Sequence, residues 1–231
     1  MNRESFTEIE LENIANFNEL IKADYSINSK DLTVYFRDLK KHLISQINNA
    51  EIVLGAVAWL TDIDILEALS RKPCQIVLQK EDFLRPDMEL TLSSNSKKVL
   101  RDAYKKLSFN YNTRNFSNKA YELTFDGIYE VEPIRCFGYL TEKYRHCSPK
   151  MHNKFLVFAE LDDKLKKIKA KKVWSGSANF TKMSMYSLEN AILINNEDIA
   201  SQYLKEYEYI YYLSESLDWN SSWTSPFDHK P

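Results

Sequence analysis

Hydrophobic positions fall along this chain in short runs whose period changes from segment to segment. Phe36, Leu39, Leu43 and Ile47 recur at helical spacing and predict an amphipathic helix ending near Asn48-Asn49. Glu51 to Leu60 is almost continuously apolar, the texture of a central strand covered on both faces. Thr61-Asp62 reads as a turn and cap for a short helix from Ile63 to Ser70. Cys74 to Gln79 follows as a second buried strand, and Leu32 to Phe36 predicts a short strand ahead of the unit. Ser94 to Leu107 predicts a helix with a serine cap and a basic face. Strands are expected over Glu130 to Tyr139, Asn153 to Phe158, Lys172 to Trp174 and Asn190 to Ile194, with a late amphipathic helix from Asp198 to Leu213. Met1 to Lys30 suits a helical arm. Asn110 to Ser117 reads as a loop whose Tyr111, Arg114 and Phe116 either fold onto the core or stack on unpaired bases. This alternation predicts an α/β fold, a mixed sheet flanked by helices.

The stretch from Lys150 to Asn190 adds candidate chemistry. His152 and Lys154 stand two residues apart in a strand-like run, so they share one face. A Gly176-Ser177-Ala178-Asn179 turn follows the next strand, and Glu189 lies ten residues beyond Asn179. An imidazole, an ammonium, an amide and a carboxylate suit attack on a phosphodiester, as nucleophile, anion binders and orienting acid. Singly each residue is ordinary: a lone strand histidine is usually structural, and Gly-Ser-x-Asn is a common turn. Their order and spacing make the set specific.

The combination resembles the phospholipase D superfamily, whose signature is His-x-Lys followed by Gly-Ser-x-Asn. The resemblance covers the chain from about Leu32 to Leu213, more loosely before His152 than after it. It implies an α/β/α sandwich, a phosphohistidine intermediate, and no metal or cofactor. It assigns the nucleophile to His152, phosphate binding to Lys154 and Asn179, the orienting acid to Glu189 and an added hydroxyl donor to Ser177. The family motif carries an Asp seven residues after the His. Here that position is Ala159, with Glu160 beside it, and nuclease-like members often depart at this point. Among His42, His146, His152 and His229 only His152 has a Lys two positions on. Single-motif members solve the shortage as two-fold homodimers, which implies that His152 of two chains shares one phosphate. His146 is a weaker alternative for the acid. The expected division is a helical arm at 1–31, a catalytic domain at 32–213 and an aromatic tail at 214–231, with Trp219, Trp223 and Phe227 in packing or dimer contacts.

Composition bounds the rest. With 231 residues, 44% of them apolar, the chain can build one sizeable core. The net charge of −2 hides an uneven distribution, for Lys143 to Lys172 holds ten Lys and Arg against three acids. A solvated loop is the ordinary account of such a run. Its place around His152 instead suggests a polyanion track, with Lys150, Lys164, Lys166 and Lys167 contacting a DNA or RNA substrate. The amino terminus lacks a signal-peptide profile, and Ile52 to Leu60 is too short to span a bilayer, so no membrane anchor and a cytoplasmic location are expected. Three cysteines without a Cys-x-x-Cys pair suggest reduced thiols and no zinc site. The expected activity is a metal-independent endonuclease, alone or in an assembly such as a restriction or defence complex. A lipid phosphodiesterase and a non-catalytic nucleic-acid-binding protein are the alternatives.

Overall fold

The computed structural model describes residues 24–79, 94–109, 132–137, 150–162 and 167–217. The strands are β1 (Ile27–Asn28), β2 (Leu32–Tyr35), β3 (Ile52–Val57), β4 (Cys74–Gln79), β5 (Ile134–Phe137), β6 (Lys154–Asp162), β7 (Lys167–Gly176), β8 (Ala191–Ile194) and β9 (Glu215–Ser216). The helices are α1 (Leu39–Asn49), α2 (Ile63–Ser70), α3 (Ser94–Tyr104), α4 (Lys182–Tyr186) and α5 (Glu197–Tyr212). All nine strands join one sheet in the order β1-β2-β8-β7-β6-β3-β4-β5-β9. The β3–β4 and β4–β5 pairs are parallel, and every other pair is antiparallel.

Alternation along the central strands builds two apolar layers. Val53, Val57, Ile76, Leu156 and Phe158 face α1, α2 and α3 through Leu43, Ile47, Leu66, Leu69 and Leu100. Ile52, Leu54, Ala56, Phe155 and Val157 face α5 through Leu204, Tyr207 and Ile210. Every residue of β3 and β4 is buried, as strands covered on both faces must be. Gly55 is required by the approach of β6, since a Cβ there would lie 2.5 Å from the Phe155 carbonyl oxygen. Asp62 caps α2 by accepting from the backbone N–H groups of Asp64 and Ile65 at 3.0 and 3.2 Å. The mixed sheet between helices is the expected architecture.

Three expectations change. The sheet begins at Ile27 and ends at Ser216, so a domain drawn at 32–213 omits both edge strands. Those strands have two residues each and carry no readable period. The predicted Lys172–Trp174 strand extends back to Lys167, because Ile168 and Ala170 are buried while Lys167 and Lys169 face out. Lys167 and Lys169 therefore belong to the outward face of a hairpin strand. The register shifts between Phe158 and Ala159, which leaves Lys171 as the extra residue between Ala170 and Lys172. The part of the predicted arm at 1–23, the Asn110–Ser117 loop, the 218–231 tail, Lys143, Arg145, His146, Lys164 and Lys166 lie outside the described residues.

Candidate active site

The antiparallel pairing of β6 with β3 and β7 brings the carboxyl ends of β3 and β7 to the amino end of β6. The carboxyl end of β2 and the start of β8 join the same edge, Tyr35 pairing with Ala191 and Gly176 with Ala191. Chain ends of parallel strands also finish there, the usual place for a site in an α/β sheet.

His152 lies in the extended lead into β6. The backbone before and after it is tied to neighbouring strands: Met151 N–H donates to Gln79 Oε1 at 2.6 Å, and Ala58 N–H donates to the Asn153 carbonyl at 2.8 Å. The imidazole is exposed, while Lys154, the first residue of β6, is only 9% exposed. Lys154 Nζ donates to the His152 carbonyl at 2.9 Å and sits 3.2 Å from His152 Nδ1 and 3.3 Å from Nε2. Desolvation holds the Lys154 ammonium below the ordinary lysine range, and the charge of Glu189 partly offsets that effect.

The Gly176–Thr181 turn is fixed from two sides. Ser177 N–H donates to the Asn190 carbonyl at 3.1 Å, and Asn190 N–H donates to Ser177 Oγ at 3.1 Å. The Ser177 hydroxyl in turn donates to Glu189 Oε2. Phe180, wholly buried, donates its N–H to the Trp59 carbonyl at 2.9 Å, and its own carbonyl accepts from Thr61 and Asp62 at 2.9 and 3.0 Å. These bonds clamp the turn against the end of β3 and the start of α2. The Asn179 carboxamide oxygen is buried without a hydrogen-bond partner among the described residues, so its Nδ2 hydrogens are what it can offer an anion.

His152, Lys154, Ser177, Asn179 and Glu189 thus share one sheet edge. Lys150 is exposed two residues before His152. Lys167 goes elsewhere. It pairs with Asp162 at the far end of the hairpin, eight residues or about 26 Å of strand from Lys154. Lys169 and Lys171 bind Glu197 at the start of α5, and Lys171 also reaches Glu160 at 3.2 Å. Of the lysines expected to contact substrate, Lys167 thus stands at the far end of the hairpin, while Lys164 and Lys166 lie outside the described residues. Ala159, where the motif Asp would stand, is buried in the apolar layer under α5. Sequence reading overlooked Gln79, Phe180 and Trp59, although a Gln closing a buried apolar strand was a signal that its amide has a partner.

The site sets one His-x-Lys motif and one Gly-Ser-x-Asn turn at one edge of a mixed sheet between helices. The chain belongs to the family of uncharacterized protein L381 of Acanthamoeba polyphaga mimivirus, being 34% identical over 216 residues that cover 89% of this chain and 75% of L381. No protein-family model matches the sequence. Among solved structures, NucT from Helicobacter pylori is similar with a TM-score of 0.48 and 18% identity, covering 80% of this chain and 98% of NucT. Nuc from Salmonella typhimurium, titled a phospholipase D family member, has a TM-score of 0.45 and 17% identity over 76% of this chain and 88% of Nuc. TrmBL2, titled an archaeal chromatin protein with a novel mode of DNA binding, has 0.41 and 13% over 90% of this chain and 61% of its own. These scores, all under 0.5, describe partial overlap. No helix among the described residues is long and apolar enough to cross a membrane, and no cluster of three or more His, Cys, Asp or Glu suited to a metal ion occurs among them.

Proposed function

We propose that the chain is a phosphodiesterase that cleaves nucleic acid through a phosphohistidine, with His152 as nucleophile. The observation that carries this reading is the Lys154 ammonium, nearly buried and 3.2–3.3 Å from both nitrogens of an exposed imidazole. A buried cation next to an exposed nucleophile suits a substrate that brings its own negative charge. A His152 ring nitrogen attacks phosphorus, the P–N bond forms, and the P–O bond to the leaving oxygen breaks. Lys154 and the Asn179 amide hydrogens hold the non-bridging oxygens as charge builds on them. Ser177 orients Glu189, whose remaining oxygen is available to a histidine Nδ1–H. Water then attacks the phosphohistidine, breaking P–N and freeing the nitrogen.

The leaving oxygen needs a proton that the attacking imidazole cannot supply. In a symmetric dimer His152 of the partner subunit supplies it, and afterwards takes a proton from the attacking water. Nucleic acid is favoured over lipid by the exposed cation two residues before His152, Lys150.

The test is incubation of purified protein with single- and double-stranded DNA and RNA in EDTA, beside His152→Ala. Cleavage that persists in EDTA and is lost in the variant supports the reading. Cleavage that vanishes in EDTA and returns with magnesium, or that survives His152→Ala, overturns it. Mixing native and His152→Ala chains should lower activity as the square of the native fraction, whereas a linear fall refutes the shared phosphate.

A further inference from the structure

Trp59 stands where the two motif segments meet. Ala58 N–H donates to the Asn153 carbonyl at 2.8 Å, which continues the Val57–Lys154 pairing and brings Trp59 alongside His152. Paired strands lie about 5 Å apart, so the two backbones are within that reach. The Trp59 carbonyl accepts from Phe180 N–H at 2.9 Å, one residue past Asn179. The backbone at Trp59 is thus tied to both the His-x-Lys strand and the Gly-Ser-x-Asn turn. Its side chain is 41% exposed and belongs to neither apolar layer. Trp174, the other tryptophan among the described residues, is 2% exposed. An indole is one of the largest apolar gains a fold can bury. Here that gain is given up next to an exposed imidazole.

We infer that Trp59 is the base-stacking residue of this site, and that it takes a nucleic-acid strand whose base beside the scissile phosphate is unpaired. The inference rests on the nuclease reading above and deepens it. With the phosphate on Lys154 and Asn179, one sugar separates phosphorus from the nearest base, and the indole lies next to the nucleophile. Every base has a π-face, so stacking asks for no particular sequence. It does ask that the base leave its duplex neighbours, which cover both of its faces. The platform is pre-organised: two neighbouring segments fix its backbone, and an indole has only two torsions to freeze. A lipid phosphodiester carries no flat ring so close to its phosphorus, so the indole would have nothing to stack on. Trp59 is therefore a specificity-determining residue and takes no part in bond making.

The experiment reads binding by fluorescence anisotropy on the full chain carrying His152→Ala, so that no probe is consumed. The probes are a labelled single strand, the same strand built with abasic sugars, and the matching duplex. The strand with bases should bind more tightly than the abasic one. Adding Trp59→Ala should shrink that preference by about 5- to 150-fold, the worth of one stacked base, and Trp59→Phe should shrink it less. The preference for single strand over duplex should shrink with it. A merely structural role for Trp59 would loosen the turn and weaken both strands alike, leaving their ratio in place, and that result overturns the inference. A ratio untouched by Trp59→Ala overturns it too, while the nuclease reading stands or falls on its own cleavage test. Loss of binding to anionic lipid vesicles alone would give the indole to a membrane and overturn the stacking role. Failure of every nucleic-acid probe to bind refutes both readings.

Discussion

Gly176→Ala probes the joint between fold and site. A Cβ built at Gly176 would lie 2.3 Å from the Asn190 carbonyl oxygen and 2.8 Å from Ala191 Cα. Both are backbone atoms of the paired strand, so no side chain can swing aside. The start of β8 must retreat by about 1 Å to restore ordinary contact. That movement strains the Ser177–Asn190 backbone bond of 3.1 Å and the return bond from Asn190 N–H to Ser177 Oγ. Overpacking of this kind costs about 1–3 kcal/mol. For a chain of this size the melting temperature should fall by about 2–12 °C, at about 2–4 °C per kcal/mol. The functional loss should be larger in proportion, because Ser177 and Glu189 ride on the displaced segment and a shift of about 1 Å can cost about a hundredfold in rate. Thermal melts and cleavage rates for Gly176→Ala, beside a Ser175→Ala control on the same strand, read the two effects separately. A variant that melts within 1 °C of native, by about the precision of such scans, and cleaves at the native rate would refute the close approach and the coupling drawn from it.

Three further outcomes follow from individual side chains. Lys154→Met should abolish cleavage yet stabilise the fold at neutral pH, because it removes a cation whose pKa burial has lowered; the native chain should regain ground as pH rises, since a depressed lysine releases its proton in the folded state first, so a stability gap constant with pH in parallel denaturations would refute the burial argument. The same depression predicts that cleavage falls on the alkaline side before the ordinary lysine range, which a pH–rate profile checks. Asp62→Ala should cost about 0.5–2 kcal/mol by urea denaturation, because it strips the cap of α2 and the 3.3 Å contact with Lys40. Tyr207→Phe should cost about 1–3 kcal/mol by removing the hydroxyl that donates to buried Gln75 Oε1, while leaving cleavage intact, because α5 packs on the sheet face and not at the site edge.

The legible parts of the chain were those with a clear apolar pattern and clear breaks on either side. Cys74–Gln79 and Ile63–Ser70 were readable to the residue, since a short run centred on Ile76-Val77-Leu78 between polar breaks and an Asp-capped amphipathic turn leave little freedom. The site was legible for a different reason: His152, Lys154, Ser177, Asn179 and Glu189 sit near each other in sequence, and one hairpin plus one turn suffices to join them. The placement of Lys167 on a hairpin strand was not legible from charge alone. Ile168 and Ala170 already marked a buried face at period two, and the bulge that seats Lys171 has no sequence signal of its own. Nor could sequence show that Gln79 fixes the backbone ahead of His152, because that bond spans 72 positions and depends on β4 lying one strand beyond β3.

The two ends of the sheet differ in how their polar groups are satisfied. At the hairpin end the charges answer one another: Lys169 and Lys171 meet Glu197, and Lys171 meets Glu160. At the opposite edge the described residues hold features that a fold selected for stability alone would avoid. Lys154 is desolvated, the Asn179 oxygen is buried without a partner, Gly176 sits where no Cβ fits, and α4 holds Met183 and Tyr186 in solvent. Natural sequences break local rules mainly where something else must bind or react. An anion bound at this edge would answer the first of these, by bringing charge to the desolvated Lys154 ammonium.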